Sequence, residues 1–265
     1  MRIMFNSLIP DKLLFRYLSF KINHFPQTKQ GKYLRGLEGI HLGKRCFIIG
    51  NGPSLTSADL DILKANNEIT FAFNRIFHIF DSTSWRPTYY ISQDEKMLAG
   101  SQKEVADLEA DIMFIPAELE WYNGIKIKGS TLFHIENCDF NKKPLFSEDI
   151  SKRIYNSRTV VYTAIQIAVY MGFKEIFLIG VDHHFHTSMN SKGEIVIDKT
   201  AKDYFSDKYN TDKENLYIPN TDLSTLAFVA AKEYADAHNV RIYNATRGGK
   251  LEVFTRVDFN QLFNS

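Results

Sequence analysis

Apolar residues in the first half of the chain fall in short runs, each closed by glycine or a polar residue. Arg45 to Ile49 is such a run, closed by Gly50. Runs of this length bounded by turn residues predict strands. Ile69 to Phe73 predicts a second strand, ending at Asn74-Arg75, and Thr88 to Ser92 a third, ending at Gln93-Asp94. Asp111 to Ile115 and Thr131 to Ile135 predict a fourth and a fifth. Between the first two runs, Leu60 and Leu63 recur at a three-residue step behind Ser and Asp residues suited to a helix N-terminus, which predicts a helix over Ser57 to Lys64.

The second half is more strongly patterned. Val161, Ile165, Ala168 and Val169 form a continuous apolar face over Thr159 to Met171, with Gly172 closing that helix. Glu175 to Ile179 is almost wholly apolar, as a strand covered on both faces should be, and ends at Gly180-Val181-Asp182. Residues Thr187 to Asn215 are polar and aperiodic, too long for a simple connection, and read as a lid or substrate loop. Asp222 to His238 predicts a further helix, Val240 to Tyr243 a last core strand and Asp258 to Phe263 a short terminal helix.

Strands that alternate with helices point to an α/β protein with a Rossmann-like, mostly parallel sheet and helices on both faces, plus a polar lid segment. The expected organisation is an N-terminal helical extension over residues 1–42 and one nucleotide-binding domain over residues 43–265, with the lid at about 187–215. In such sheets ligands bind beyond the carboxyl ends of the strands. The polar residues Asn51, Asn74, Gln93, Asp94, Asp182 and Asn244 fall at those ends.

Composition narrows the partners. A hydrophobic fraction of 44% and a charged fraction of 24% are those of an ordinary globular chain. A formal net charge of +1 removes the main argument for a nucleic-acid binder. The two cysteines, Cys46 and Cys138, lack partners at metal-ligand spacing and suit a reducing cytoplasm. No apolar stretch reaches the ~20 residues of a membrane span. Met1 to Lys21 lacks the pattern of a signal peptide. Its Leu13, Leu14, Phe15, Tyr17, Leu18 and Phe20, mixed with Arg2, Lys12, Arg16 and Lys21, suggest an amphipathic basic helix. That helix either packs on the domain or a partner subunit, or touches an anionic membrane face at the inner membrane.

Three segments carry candidate chemistry. Gly50-Asn51-Gly52-Pro53-Ser54-Leu55 joins a strand to a helix, and its glycines let the backbone approach a phosphate closely. It is not a dinucleotide fingerprint, since Leu55 stands where a third glycine would, nor a phosphate loop of the Gly-Lys-Ser/Thr type. The alternative is a plain strand-to-helix turn. Asp182, His183, His184 and His186 form a cluster that could serve as acid or base, contact phosphate or, less readily, hold a metal. Asn244-Ala245-Thr246-Arg247-Gly248-Gly249 offers Arg247 to a phosphate, or is simply a turn with an exposed arginine. Tyr204, Tyr209 and Tyr217 lie in or beside the lid, where they could cover a sugar or donate to a phosphate.

Phe47-Ile48-Ile49-Gly50-Asn51-Gly52-Pro53-Ser54-Leu55 is similar to the nucleotide-binding opening of a group of bacterial sialyltransferases. Thr159 to Asp182, including Met171-Gly172-Phe173-Lys174-Glu175, resembles their helix-strand segment, and Asn220-Thr221-Asp222 also resembles them. The same segments mark surface-polysaccharide biosynthesis proteins and, more distantly, 6-hydroxymethylpterin diphosphokinases and nonulosonate transferases that modify flagellin. The resemblance covers roughly residues 43–263. It implies that Asn51 and Asn74 contact the nucleotide; together with the turn and strand-end residues, the expected nucleotide site comprises Gly50, Asn51, Gly52, Pro53, Ser54, Asn74, Gln93, Asp94 and Thr159, with Tyr204, Tyr217, Asn220 and Arg247 toward substrate or phosphate. The sialyltransferases take their base from a histidine beside a tyrosine before the Asn-Thr-Asp segment. Tyr217-Ile218-Pro219-Asn220 has none, and Val160-Val161 replaces their helix-opening Ser-Gly. Either His183, His184 or His186 supplies the base, with Asp182 as orienting carboxylate, or the reaction differs.

What the resemblance implies is a glycosyltransferase of lipopolysaccharide or capsule biosynthesis. It would pass a sialic-acid-like nonulosonate from a CMP-activated donor to a glycan acceptor, without a required cofactor. The alternatives are an ATP-dependent diphosphokinase acting on a pterin-like alcohol, which would need Mg²⁺ held by carboxylates such as Asp94 and Asp182, or an inactive nucleotide-binding subunit. The implied partners are the nucleotide sugar and the glycan acceptor, with a homo-oligomer as an open option.

Overall fold

The computed structural model describes residues 11–139, 142–190, 192–198, 202–206 and 217–264. Eight parallel strands form the central sheet. In chain order they are β1 (Arg45–Ile49), β2 (Thr70–Phe73), β3 (Tyr89–Ile91), β4 (Ile112–Pro116), β5 (Thr131–Phe133), β8 (Glu175–Ile179), β11 (Arg241–Asn244) and β12 (Thr255–Arg256). Their order across the sheet is β12-β11-β8-β1-β2-β3-β4-β5. The chain therefore builds outward from β1 in one direction, then returns to its other side with β8. That reversal leaves a crevice beyond the ends of β1 and β8, which is where a doubly wound sheet binds ligands.

Alternation along each strand feeds two cores. Cys46, Ile48, Phe71, Phe73, Ile176 and Leu178 face one side, and Phe47, Ile49, Ala72, Phe177 and Ile179 face the other. Helices α7 (Val160–Tyr170) and α8 (Thr221–Ala237) cover the first face with Ala164, Ile165, Ala168, Ala227, Phe228 and Ala231. Helix α3 (Ser57–Ala65), with the short α4 (Glu95–Gly100) and α5 (Gln102–Ala106), covers the second with Leu60, Leu63, Met97, Leu98 and Val105. Both faces are buried, so the strands read as continuous apolar runs. Phe47, Phe177 and Tyr243 stack across β1, β8 and β11 with ring centroids 5.2 and 5.1 Å apart.

The predicted core strands and the three longer predicted helices form within one or two residues of their expected bounds. Three expectations change. The fifth strand breaks at His134 into β5 and β6 (Ile135–Asn137), and β6 pairs with β7 (Ile154–Asn156) in a separate two-stranded parallel sheet. The break is held by Glu118 on α6 (Ala117–Asn123), which pairs with His134 Nδ1 at 2.5 Å and accepts from Ile135 N at 3.1 Å. The polar segment after residue 186 is not structureless, because β9 (Thr187–Met189) and β10 (Ile195–Ile197) form an antiparallel hairpin. The terminal helix is only a 3₁₀ turn over Asn260–Leu262.

Before β1 the chain forms α1 (Asp11–His24), a 3₁₀ turn and α2 (Lys29–Arg35). Phe25, Leu34 and Leu37 anchor this extension in the first core. Among the described residues no helix is long and apolar enough to cross a membrane.

Candidate functional site

The ends of β1 and β8 approach so closely that side chains are excluded. A Cβ on Gly50 would lie 2.3 Å from the Gly180 carbonyl oxygen, and one on Gly180, whose φ is +63°, 2.6 Å from that of Gly50. Gly52 N donates to Gly180 O at 2.8 Å, and Lys250 N to Asp182 O at 2.7 Å. The loops after β1, β8 and β11 are thus joined backbone to backbone.

Asp182 braces this joint. It accepts from Ser54 Oγ at 2.7 Å and lies where a Gly52 Cβ would fall, 1.9 Å from its Oδ2. Burial pushes its carboxyl above the ordinary range, opposed by the Ser54 hydrogen bonds and by the nearby His184. Asp182 was expected to orient a histidine, but its carboxylate is turned to the glycine loop. Within that loop, Gly50, Asn51 and Gly52 line the cleft, whereas Ser54 serves as a strut.

The cleft beyond the strand ends encloses about 890 Å³, at the large end for ligand pockets, ~300–1,000 Å³. It brings together most of the residues singled out in the sequence: Asn51, Asn74, Gln93, Asp94, Thr159, Asp182, His183, His184, Tyr204, Tyr217 and Asn220. Asn51 Nδ2 donates to Phe73 O at 3.1 Å, tying the first strand end to the second. Asn74 takes up a left-handed φ of +47° and accepts from Ser92 Oγ at 3.1 Å. Asp94 caps α4 through Met97 N at 3.0 Å. Its carboxyl is raised by burial, against the pull of the Met97 and Lys96 amides and of the Arg75 charge.

Amide side chains make a directed chain along the floor. Thr163 Oγ1 donates to Gln93 Oε1 at 2.7 Å, Gln93 Nε2 to Asn156 Oδ1 at 3.3 Å, and Asn156 Nδ2 to Asn137 Oδ1 at 2.7 Å. The buried Gln166 of α7 fixes the approach to Asn156 by accepting from Ser147 N and Tyr155 N and donating to Tyr155 O. Two helix N-termini also open on the cleft. Thr159 caps α7 through Val161 N, and Asn220 caps α8 through Leu223 N. Helix N-termini present N–H groups and a partial positive charge to an anion.

The two adjacent histidines differ. An extended chain would aim only one of two neighbouring side chains at the cleft, yet both line it. The left-handed φ of +52° at His183 turns the chain. His183 Nε2 lies 2.8 Å from Thr225 Oγ1, and that hydroxyl already donates to Thr221 O, so it accepts from the imidazole. The ring packs edge-on to Phe228. Burial lowers its pKa, against the hydrogen bond to the Thr221 backbone and the charge of Asp222. His184 instead pairs through Nε2 with Asp198 Oδ2 at 2.7 Å, and Lys250 Nζ lies 3.6 Å from the same oxygen. A carboxylate there holds the proton on Nε2 and leaves Nδ1 basic. His186 is not part of the cleft lining; its backbone N donates to Asp203 Oδ1 at 2.6 Å.

Arg247 does not reach the cleft. Its guanidinium forms a two-pronged pair with Asp59, at 2.8 and 2.6 Å, in the capping box of α3. The expected phosphate contact is replaced by neutralisation of a buried carboxylate. Tyr209 lies outside the described residues, as does part of the expected lid. The described part of that segment hangs over the cleft by Phe205 N to Asn51 O at 3.0 Å and by the His184–Asp198 pair.

Sequence reasoning missed the cations of the cleft, Lys96 and Arg158. Lys96 Nζ sits 4.7 Å from the centre of the Tyr217 ring. Arg158 immediately precedes the α7 cap, and a basic residue at a helix start beside a strand-end cleft is the signal that was available. Asp198 was missed because it lies in an aperiodic polar stretch. Among the described residues, no group of three or more His, Cys, Asp or Glu side chains is placed to hold a metal ion. Asp94 and Asp182, the carboxylates expected to hold Mg²⁺ in the diphosphokinase alternative, instead cap α4 and accept from Ser54.

The sequence model of a family described as "6-hydroxymethylpterin diphosphokinase MptE-like" matches residues 20–188. No curated protein matches the sequence. Among solved structures, the MAf glycosyltransferase from Magnetospirillum magneticum AMB-1 is similar over 90% of this chain and 39% of that one, with a TM-score of 0.52 at 15% identity. At that identity the likeness shows a shared fold, and this chain spans well under half of that relative's length.

Proposed function

The chain belongs to the 6-hydroxymethylpterin diphosphokinase MptE-like family, and on that premise we propose that it is a transferase that moves a group from a nucleotide to a hydroxyl, specifically a glycosyltransferase. The observation that carries this reading is the joining in one cleft of the Gly50-Asn51-Gly52 turn, the N-termini of α7 and α8, and the His184–Asp198 pair. The glycine turn and the helix ends suit the phosphate of a nucleotide, with Arg158 and Lys96 as cations. The amides of Asn156 and Asn137 suit the hydroxyl groups of a sugar. A glycosyltransferase of this fold, MAf, agrees with the reading.

The donor we propose is a CMP-linked acidic sugar and the acceptor a surface glycan. The acceptor oxygen attacks the anomeric carbon, and the bond from that carbon to the CMP phosphate breaks, with the electron pair leaving on CMP. His184 Nδ1 takes the acceptor proton, and Asp198 stabilises the resulting imidazolium. His183, half-buried and bonded to Thr225, positions the loop against α8.

The family description fits, more weakly, a second reading, in which the acceptor hydroxyl attacks the β-phosphorus of ATP, the bond from that phosphorus to the oxygen of the α-phosphate breaks, and AMP leaves with the electron pair. Calorimetric titration with CMP, CDP, ATP and ADP, each with and without Mg²⁺, separates the two. The glycosyltransferase reading expects cytidine nucleotides to bind without Mg²⁺ and a CMP-linked nonulosonate to turn over. Binding of ATP alone, dependent on Mg²⁺, overturns it.

A further inference from the structure

Helix α1 leaves an apolar stripe uncovered. Leu13, Tyr17 and Phe20 stand at i, i+4 and i+7, so they share one face, and they are 56%, 54% and 59% exposed. The face toward the body carries Leu14, Leu18 and Ile22, all half-buried. The helix is therefore apolar on two sides, and only one of them is used by the fold. Phe15, at 73% exposure, adds to the uncovered surface.

The uncovered stripe is flanked by cations on both sides. Lys12 and Arg16 border one edge. Lys21 borders the other, its Nζ held 4.9 Å from the Tyr17 ring and 5.3 Å from that of Trp121. Charge is segregated along the whole chain in the same sense. Residues 1–44 contain eight Lys and Arg against two Asp and Glu, a net of +6, whereas the chain as a whole nets +1 and the remainder −5. Long basic side chains beside an apolar stripe can bury their stems in hydrocarbon while their charges stay among phosphates. An aromatic ring such as Tyr17 suits the same boundary.

We propose that α1 docks the protein on an anionic lipid surface, lying in the plane of the interface with Leu13, Tyr17 and Phe20 inserted and Lys12, Arg16 and Lys21 on lipid phosphates. The surface is independent of the transferase reading. A second copy of the chain would bury the same stripe, but its own helix is equally basic, so like charges would meet across a symmetric contact.

The test is co-sedimentation of the full chain with phosphatidylcholine vesicles prepared with and without phosphatidylglycerol. Partitioning onto the anionic vesicles is expected to be at least about tenfold stronger and to weaken as salt rises. Arg16→Glu and the double variant Leu13→Ser/Phe20→Ser should each reduce it by about tenfold or more. These side chains are exposed, so thermal unfolding should be unchanged, which separates lost docking from lost folding. Equal binding to both vesicle types, or to neither, overturns the proposal. So does a concentration-dependent dimer in light scattering that the Leu13→Ser/Phe20→Ser variant abolishes without any effect of lipid.

Discussion

The floor and the roof of the cleft are built on opposite principles. The floor is backbone against backbone: Gly50, Gly52 and Gly180 have no room for a methyl group, and Asp182 locks them through Ser54. The roof, formed by the hairpin of β9 and β10 and the residues after it, is attached by the His184–Asp198 pair, by His186 N to Asp203 and by Phe205 N to Asn51 O. Contacts of the first kind can only be kept or broken, whereas hydrogen bonds of the second kind can be exchanged for bonds to a ligand. A site that must hold a phosphate rigidly and still admit an acceptor needs both kinds.

The comparison can be broken first at the roof. His184→Ala is expected to lower turnover of a CMP-linked donor by about 10³-fold with little change in donor affinity. Asp198→Asn should give a smaller loss of about 10²-fold in the same assay. Full activity in both variants would place the base elsewhere. At the floor, Gly50→Ala sets a methyl against a carbonyl that cannot retreat. It should destabilise the protein by about 3 kcal/mol, read by denaturant unfolding, and weaken nucleotide binding as well. A variant as stable as the parent would show the floor to be as adaptable as the roof.

Two smaller effects sharpen the contrast. Arg247→Ala removes the partner of buried Asp59, outside the cleft. It should cost about 1 kcal/mol in unfolding experiments while leaving nucleotide affinity unchanged, since no phosphate contact is lost. The last effect concerns pH. His183 has a pKa below its ordinary value of 6.5 because it is partly withdrawn from water. As pH falls below 6.5, the unfolded chain takes up a proton there before the folded one does, so stability is full above that value and declines below it. The melting temperature of His183→Gln should fall less steeply over that range. His41, also lowered by burial and by Lys44, keeps part of the slope.

The sheet was legible because strands buried on both faces must be apolar throughout, and Arg45 to Ile49 and Glu175 to Ile179 show it residue by residue. The short helices α4, α5 and α6 were not, since five to seven residues give too few turns for a period to show. In the site, the strand-end rule located Asn51, Asn74, Gln93 and Asp182 because the parallel topology fixes where strands stop. The partner of each remained hidden, because Asp182–Ser54, His184–Asp198 and Arg247–Asp59 join residues far apart or in aperiodic sequence. The match to the family stops at residue 188, before Asp198 and α8, so nearly all of the roof lies beyond it.

The directed amide chain on the floor sets a rule for what the cleft can recognise. Thr163, Gln93, Asn156 and Asn137 pass donation in one sense only. Turning Asn156 alone would set donor against donor toward Gln93 and acceptor against acceptor toward Asn137, whereas turning Gln93 alone is penalised only toward Asn156, because the Thr163 hydroxyl can also accept. The three amides are therefore coupled through Asn156, so that reversing one favours reversing its amide neighbour. The buried Thr163 sits at one end of the chain, where its hydroxyl accommodates either orientation of Gln93. What Asn137 offers a ligand thus depends on the orientation of Asn156 and Gln93 behind it, so recognition at that end is a property of neighbours as well as of the residue in contact.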